Sequence, residues 1–348
     1  MGTLWFWIVS LMLSAYVVLD GFDLGVGMLL PFVARTEEER QQALRAIGPV
    51  WDGNEVWLLA GGGTLFFAFP LAYASAFSGF YLPLMIVLWL LVLRGLGIEL
   101  RHQAQDPLWR RFCDGLLVFS SFLLAVFFGA ALANVIRGVP IEPDNYFYLP
   151  LWTDWRVGAS PGILDWYTVI GGLMAVAALA LHGALFLWLK TEGSIEQSSR
   201  SVGGRLWWVV TAGTVLSIPA TVIARPSSLH NYQEHTAAII APATVAIGLV
   251  IVRLALRAEQ PLAAFLGSCV YLCAMFCGAA AGLYPALLPA TTGSDRDITI
   301  ARALAGPHAI RVGLVWWAFG MILAAIYFVV VYRMFRGKVS QHSDTYGH

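Results

Sequence analysis

The sequence predicts an all-α integral membrane protein, a bundle of about nine transmembrane helices, from three observations. Apolar residues make up 59% of the 348 positions and charged residues only 12%, whereas soluble domains carry about 25% charged residues. Apolar runs of about 20 residues, the length that crosses a bilayer, recur along the chain. These runs lack the alternation of a membrane β-barrel, and only helices or closed barrels satisfy the backbone in lipid.

The expected spans follow one another closely, so residues 1–348 are expected to form a single polytopic transmembrane domain. The nine spans are Leu4–Leu30, Pro49–Phe69, Gly79–Ile98, Leu116–Val135, Ile163–Leu189, Leu206–Ala224, Thr236–Leu256, Leu262–Leu287 and Ala309–Tyr332. The first is expected to be kept as a helix, because no basic residues precede it as in a signal peptide. Within it, Gly21 and Gly25 are spaced for close packing against another helix.

Nine spans would place successive loops on alternate sides of the membrane, and Lys and Arg residues are distributed unevenly between these two sides. Fifteen of the 21 lie on the side of the C-terminus and six on the other. Because cytoplasmic loops are enriched in these residues, the C-terminus is expected in the cytoplasm and the N-terminus outside. The formal net charge is zero, so the sequence offers no basic surplus and no nucleic-acid partner is expected.

Cysteines and histidines give little indication of a metal site. Cys269, Cys273 and Cys277 recur every four residues, too far apart along a helix for easy disulfides, and are interpreted as packing residues. His182 lies in the fifth span without a second histidine at ligand spacing, so hydrogen-bonded packing is favoured over haem ligation. Three further histidines are expected in outer loops or at the interface: His230, His235 and His308.

Five acidic residues lie inside or at the margin of predicted spans, where a central charge costs about 2.5–3.5 kcal/mol. They are Asp20 and Asp23 in the first span, Asp52 and Glu55 in the second, and Glu99 at the end of the third. In the predicted orientation, all five lie toward the cytoplasmic side. The members of each pair are three residues apart and share a helix face, and Arg94 is a nearby basic partner.

Two interpretations of these acids remain open. In the first, they cap the second helix, pair with Arg94 or Arg101, and fix the register of the helices. In the second, they form an entry route for protons or cations from the cytoplasm, as chains of acidic residues do in other membrane proteins. Spacing alone slightly favours the structural interpretation.

Several motifs along nearly the whole chain are characteristic of one known family. The most specific is Trp51-Asp52-Gly53-Asn54-Glu55-Val56-Trp57, followed by Gly61-Gly62-Gly63. The others are Asp20–Gly27, Ala76–Tyr81, Arg94–Arg101, Gly282–Pro285 with Leu288-Pro289, and Tyr332–Lys338. In these motifs the chain resembles subunit II of the cytochrome bd-type quinol oxidases.

The resemblance implies a subunit of a quinol:oxygen oxidoreductase that generates a proton-motive force and is not catalytic alone. A homologous subunit I is implied to carry two b-type haems and haem d, with no haem ligated by this chain. The two subunits together would oxidise quinol and reduce O2 to water in the bacterial cytoplasmic membrane. Subunit II is implied to stabilise the haem site and to contribute a proton channel at the subunit interface; a small single-helix accessory subunit is an optional further partner.

The same resemblance selects candidate site residues. Asp52 matches the channel acid of the family's Trp-Asp-Gly-Asn motif, and Glu99 occupies a position where some members carry Asp. These two acids are therefore the first candidates for proton carriers. The second group of candidates, as pKa-tuning or structural partners, is Asp20, Asp23, Glu55 and Arg94.

Two other functions remain as alternatives. A proton-coupled secondary transporter would place its acids near the midplane between repeats, whereas these acids lie toward one side and no inverted repeat is visible. A structural scaffold would use the acids only to dock helices. The presence or absence of haem b and haem d in the purified complex separates these alternatives from the oxidase.

Overall fold

The computed structural model describes residues 1–234 and 236–340, and its helices account for most of the chain. In chain order the helices are α1 Gly2–Val33, α2 Glu37–Ile47, α3 Trp51–Ala68, α4 Pro70–Gly79, α5 Tyr81–Glu99, α6 Pro107–Arg137, α7 Trp166–Lys190, α8 Ser194–Ala224, α9 His230–Glu234, α10 Ile240–Arg257, α11 Pro261–Leu283, α12 Ile300–Ala303 and α13 Pro307–Met334. Strands β1 Ala286–Leu288 and β2 Ile298–Thr299 pair antiparallel between α11 and α13. His235 lies outside the described residues.

Eight helices among the described residues are long and apolar enough to cross a membrane: α1, α5, α6, α7, α8, α10, α11 and α13. Each corresponds to one predicted span, and the chain is a helical multi-pass membrane protein. The remaining predicted span, Pro49–Phe69, corresponds to α3. This helix carries Asp52, Asn54 and Glu55 in its first turns, and it lacks the strongly apolar 18-residue stretch that each of the other eight contains. The total of nine spans therefore stays a prediction.

Helix α3 ends where its predicted span ends, whereas α6 and α8 begin well before Leu116 and Leu206, and α11 ends before Leu287. Prolines explain the ends of α3 and α11. The helix of the second predicted span ends at Phe69, whose backbone leaves the helical region, because the residue before a proline is disfavoured there. Pro70 then starts α4 as a separate short helix. The predicted span Leu262–Leu287 ends as a helix at Leu283, since Pro285 supplies no backbone N–H and the following residues form β1.

Helix α1 lies at the centre of the bundle, where it packs against α3, α6, α7 and α11. Its buried face includes both intramembrane aspartates. A Cβ built on Gly25 would lie 2.8 Å from the Gly183 Cα of α7, and one on Gly21 would lie 2.9 Å from Leu179 Cδ2. The close packing predicted for Gly21 and Gly25 is therefore confirmed.

Helix α13 lies at the periphery of the isolated chain. Ile310 is its one buried residue, and large apolar side chains such as Trp316 and Phe319 are exposed along it. One side of the helix contacts the bundle along its length: Trp317 Nε1 donates to Met12 Sδ of α1 at 3.2 Å, and Tyr332 OH donates to Asn54 Oδ1 of α3 at 3.1 Å. Most of the surface of α13 is thus free to face lipid or a partner protein.

A short helix and an ion pair secure the two ends of the bundle. Helix α2 begins with a capping box, in which Thr36 and Glu39 each accept a hydrogen bond from the other's backbone N–H. At the C-terminal end of α6, Arg137 forms a fully buried ion pair with Asp165, the residue before α7. Arg137 Nη2 also donates to Asn134 Oδ1 at 2.6 Å.

Candidate functional site

Arg94 of α5 is fully buried and lies at the centre of the candidate site. Its guanidinium forms a two-pronged pair with Asp20 of α1, with Nη1 to Oδ2 at 2.8 Å and Nη2 to Oδ1 at 2.7 Å. Nη2 also donates to Glu55 Oε2 of α3 at 3.1 Å, and the Trp51 ring centroid lies 5.8 Å from the guanidinium. The structure therefore brings together three candidates from three helices.

A second group of polar side chains extends this site along α1. Asn54 Nδ2 donates to Asp23 Oδ2 at 2.8 Å, and Tyr332 OH of α13 donates to Asn54 Oδ1 at 3.1 Å. Asp23 Oδ1 is buried without a hydrogen-bond partner among the described residues. Tyr332 was not a predicted site residue, although it begins the last of the motifs found in the sequence.

Asp52 and Glu99, the first candidates from the sequence, lie apart from the buried site. Both are exposed in the isolated chain, and neither has a hydrogen bond or ion pair to the residues that the structure describes. Asp52 lies three residues before Glu55 on α3, which places the two acids on one helix face. Glu55 is half-buried, with its side chain 25% exposed, so it lies between the surface acid and the buried Arg94.

A further ion network lies near the start of α6 and was missed in the sequence. Arg101 Nε donates to Asp114 Oδ1 at 2.6 Å, and its Nη2 donates to Glu37 Oε1 of α2 at 2.9 Å. Arg40 and Arg110 extend the network to these same two acids. Arg101, considered above as a partner for the intramembrane acids, thus pairs elsewhere. Asp114 was overlooked because the fourth span was predicted to begin after it.

His182 is a buried, hydrogen-bonded residue between α7, α11 and α1. Its Nδ1 lies 2.7 Å from Ser268 Oγ and its Nε2 lies 2.9 Å from the Val18 carbonyl oxygen. The ring stacks on Phe265 with centroids 4.9 Å apart. Both ring nitrogens are therefore engaged, which does not fit axial ligation of haem by His182.

The three regularly spaced cysteines line an apolar cavity rather than a ligand cluster. Cys269, Cys273 and Cys277 are free thiols on α11 and face a cavity of about 1080 Å³ bounded by α1, α10 and α11. Cys277 Sγ lies 3.6 Å from Ser14 Oγ. Within the described ranges, no three His, Cys, Asp or Glu side chains are grouped to hold a metal ion.

Comparisons with known proteins cover nearly the whole chain. The family described as "Cytochrome bd terminal oxidase subunit II" matches residues 1–335. "Probable cytochrome oxidase subunit 2" of Haemophilus influenzae is 27% identical over 97% of this chain and 94% of its own length. "Cytochrome bd ubiquinol oxidase subunit 2" of Bacillus subtilis is 28% identical over 89% of this chain and 88% of its own length.

A further relative and a solved structure extend the comparison. "Cytochrome bd-I ubiquinol oxidase subunit 2" of Escherichia coli is 35% identical over 198 residues, which cover 57% of this chain and 51% of that protein. A chain of the bd oxidase structure from Geobacillus thermodenitrificans superposes with a TM-score of 0.76 at 17% identity, over 96% of this chain and 98% of that one, and supports the fold. Because the family match spans residues 1–335, the chain belongs to the cytochrome bd terminal oxidase subunit II family.

Proposed function

We propose that this chain acts with a haem-bearing subunit I as a quinol-oxidising, oxygen-reducing complex of the bacterial cytoplasmic membrane. In this proposal residues 1–348 form one domain of nine spans, with the N-terminus outside and the C-terminus in the cytoplasm. Two b-type haems and haem d belong to subunit I, a small single-helix subunit is an optional addition, and this chain ligates no haem. Membership of the family and the quinol oxidase names of its relatives support this assignment.

The proposed role of this chain within the complex is to carry protons from the cytoplasm toward the site of oxygen reduction. The observation that carries this role is the exposure of Asp52 on a helix of the bundle. A carboxylate that faces lipid is energetically costly, so a partner protein or water must cover Asp52. We therefore place Asp52 at the interface with subunit I, where the expected proton path runs.

The buried part of the site supports a short path inward from Asp52. Glu55 lies one helical turn further along the same face, and its carboxylate contacts Arg94. Arg94 also holds Asp20, so three carboxyl groups, counting Asp23 one turn along α1, lie near a single guanidinium. The single positive charge of Arg94 neutralises only one carboxylate. The remaining carboxyl groups are therefore those that can take up and release protons.

Glu99 is proposed as a second surface acid at the end of α5. It is exposed and lies in the last turn of the helix that also carries Arg94. The oxidase chemistry itself would be supplied by the haems of subunit I. In this chain Asp52 and Glu99 exchange protons with water, Glu55 passes them inward, and Arg94 fixes the position of Asp20.

The exposed face of the same helices is proposed to bind subunit I. Leu59 of α3, Trp89 of α5 and Trp316 of α13 are among the most exposed large apolar residues of the chain. This face includes Asp52, so binding of subunit I would both enclose the proton path and stabilise the neighbouring haem site.

The oxidase assignment is tested on the complex purified from membranes through an affinity tag on this chain. We expect a co-purifying subunit, a visible spectrum with haem b and haem d features, and oxygen uptake that depends on added quinol. A colourless preparation that instead accumulates a solute in proton-loaded vesicles would support the transporter alternative. A colourless preparation without either activity would support the scaffold alternative.

A further inference from the structure

A groove between the first turns of α8 and the last turns of α10 carries a concentration of arginine side chains. The groove has a volume of about 380 Å³. Arg200 lies on its α8 wall, and Arg253 and Arg257, one helical turn apart, lie on its α10 wall. Gly204 contributes to the lining and adds no side chain, which leaves the groove open.

The positive charge of this groove is largely uncompensated. Arg200 Nη2 pairs with Glu259 Oε1 at 2.9 Å, and that carboxylate is mostly exposed to solvent. Arg253 and Arg257 form no ion pair or hydrogen bond with residues 1–234 or 236–340. Guanidinium groups near a membrane surface are stabilised by an anion, and the described part of the chain does not supply one.

Arg253 is held in place by aromatic rings rather than by acids. Its guanidinium carbon lies 5.1 Å from the Trp207 ring centroid and 5.2 Å from that of Trp208. Trp207 is itself fixed, because its indole Nε1 donates to the Leu249 carbonyl oxygen at 2.9 Å. Contact with the ring faces fixes the cation and leaves its N–H groups free to bind a ligand.

The surroundings place the groove at the level of lipid headgroups. Trp208 is exposed beside Arg253, as tryptophans are at the membrane–water interface. Along α10, Ile247, Val250 and Leu254 recur at helical spacing and are more than half exposed. This apolar strip runs from the groove toward the middle of the helix, where acyl chains of a lipid would lie.

We propose that the groove binds the phosphate of an anionic glycerophospholipid, with Arg253 and Arg257 as its main ligands. Arginine matches the geometry of phosphate oxygens through paired N–H donors, and basic pockets between transmembrane helices bind lipid headgroups. Free inorganic phosphate has the same anionic chemistry, but it would not use the exposed tryptophan or the apolar strip. The site is separate from the Arg94 network and from the proposed proton path.

The first test measures phospholipid bound to the intact complex by native mass spectrometry, after transfer from vesicles of phosphatidylglycerol and phosphatidylethanolamine. We expect the Arg253→Gln, Arg257→Gln double variant to retain about tenfold less phosphatidylglycerol than the natural complex. Arg111→Gln, which removes an exposed arginine at the start of α6, is the matched control and should retain a normal amount. Equal retention by the double variant would overturn the proposal.

A second variant fills the groove without changing its charge. A Cβ on Gly204 meets nothing within 4 Å, so Gly204→Leu should fold normally and occupy the space of the headgroup. Gly115→Leu, at another open position on α6, is its control. We expect only Gly204→Leu to lose bound phosphatidylglycerol; normal retention by that variant would contradict a lipid in this groove.

A third arm separates lipid from free phosphate. Inorganic phosphate is added to the complex in vesicles of phosphatidylethanolamine alone, and its binding is followed by ³¹P NMR line broadening. We expect no difference between the natural complex and the double variant. Broadening that requires Arg253 and Arg257, with unchanged phosphatidylglycerol retention, would assign the groove to a soluble anion and overturn the lipid assignment.

Discussion

Arg94 illustrates how one charged residue is tolerated inside the bundle. Removing a guanidinium from water is costly, and a buried pair offsets that cost only with good geometry and further hydrogen bonds. Here Asp20 accepts two hydrogen bonds, Glu55 accepts a third, and Trp51 lies beside the cation. Three helices are thereby joined through one side chain, so its removal would weaken the packing of α1, α3 and α5 against one another.

Replacing Arg94 by Gln is expected to destabilise the complex by about 3–5 kcal/mol, because it leaves Asp20 buried without its counter-ion. Adding Asp20→Asn should recover part of the loss, since the second change removes the unpaired charge. Thermal unfolding of the detergent-solubilised complex measures both effects. Arg156→Gln, on the exposed loop between α6 and α7, is the control. Equal unfolding temperatures for the Arg94 and Arg156 variants would contradict a central role for this pair.

At the residue scale the sequence predicted partners better than positions. The high cost of lone charges in a membrane suggested that the intramembrane acids would pair with Arg94 or Arg101, and the structure pairs Arg94 with Asp20 and Glu55. The sequence could not indicate that Asp52 is exposed while Glu55 contacts the buried Arg94. Spacing places both acids on one side of α3, but it does not show which neighbouring helices cover each of them. Asp114 and its pairing with Arg101 were missed because the helix begins earlier than its apolar stretch.

At the scale of elements, the crossing of α1 and α7 depends on two glycines that face each other, Gly25 and Gly183. Gly25→Ala is expected to force the helices apart and to cost about 1–3 kcal/mol through overpacking. Gly62→Ala is the matched control, because a Cβ there meets nothing within 4 Å. Unfolding temperatures of the two variants provide the measurement; a loss in the Gly62 variant as large as that in the Gly25 variant would refute the argument.

Helix α2 should be held less firmly against α8 at acidic pH. Glu39 accepts hydrogen bonds from Ser194 of α8 and from the backbone N–H groups of Arg35 and Thr36. The hydrogen bond from Ser194 is the main cause that lowers the pKa of the Glu39 carboxyl. A lowered pKa means that this attachment is complete above the ordinary pKa of glutamate and is lost as the pH falls through the lowered value.

Hydrogen exchange of the α2 amides against pH measures this attachment. We expect protection to fall on acidification in the natural protein. In Glu39→Gln the amide can still accept the capping hydrogen bonds, so its protection should be independent of pH over the same range. An identical pH profile in both proteins would show that another group controls α2.

Element boundaries were the part of the fold that hydropathy predicted least well. The predicted span Pro49–Phe69 ends where α3 ends, but the short helix α4 lay outside the predicted spans because it is too short to cross a membrane. Near Pro285 an apolar stretch continues from helix into strand. There the backbone restriction of proline decides the boundary, and a hydropathy average does not register it.

At the scale of the whole molecule, the isolated chain has a buried centre and a peripheral helix with almost no buried surface. The orientation and the nine spans expected from the distribution of Lys and Arg stay predictions. The exposed acids Asp52 and Glu99 and the exposed apolar side chains of α13 are the surfaces that the proposed subunit I would cover. The proposed proton path depends on this partner, since Asp52 is exposed without it.

The most direct test of this account is the turnover of a complex that carries Asp52→Asn, with Asp154→Asn on the exposed loop between α6 and α7 as control. Asp52 has no partner within the described chain, so its replacement should leave the haem spectrum and the unfolding temperature unchanged. Proton uptake coupled to oxygen reduction, and quinol-dependent oxygen consumption with it, should fall by about tenfold or more, while the Asp154 variant keeps its rate. Full turnover by the Asp52 variant would contradict the proton path, and loss of the haems would show that Asp52 has a structural role instead.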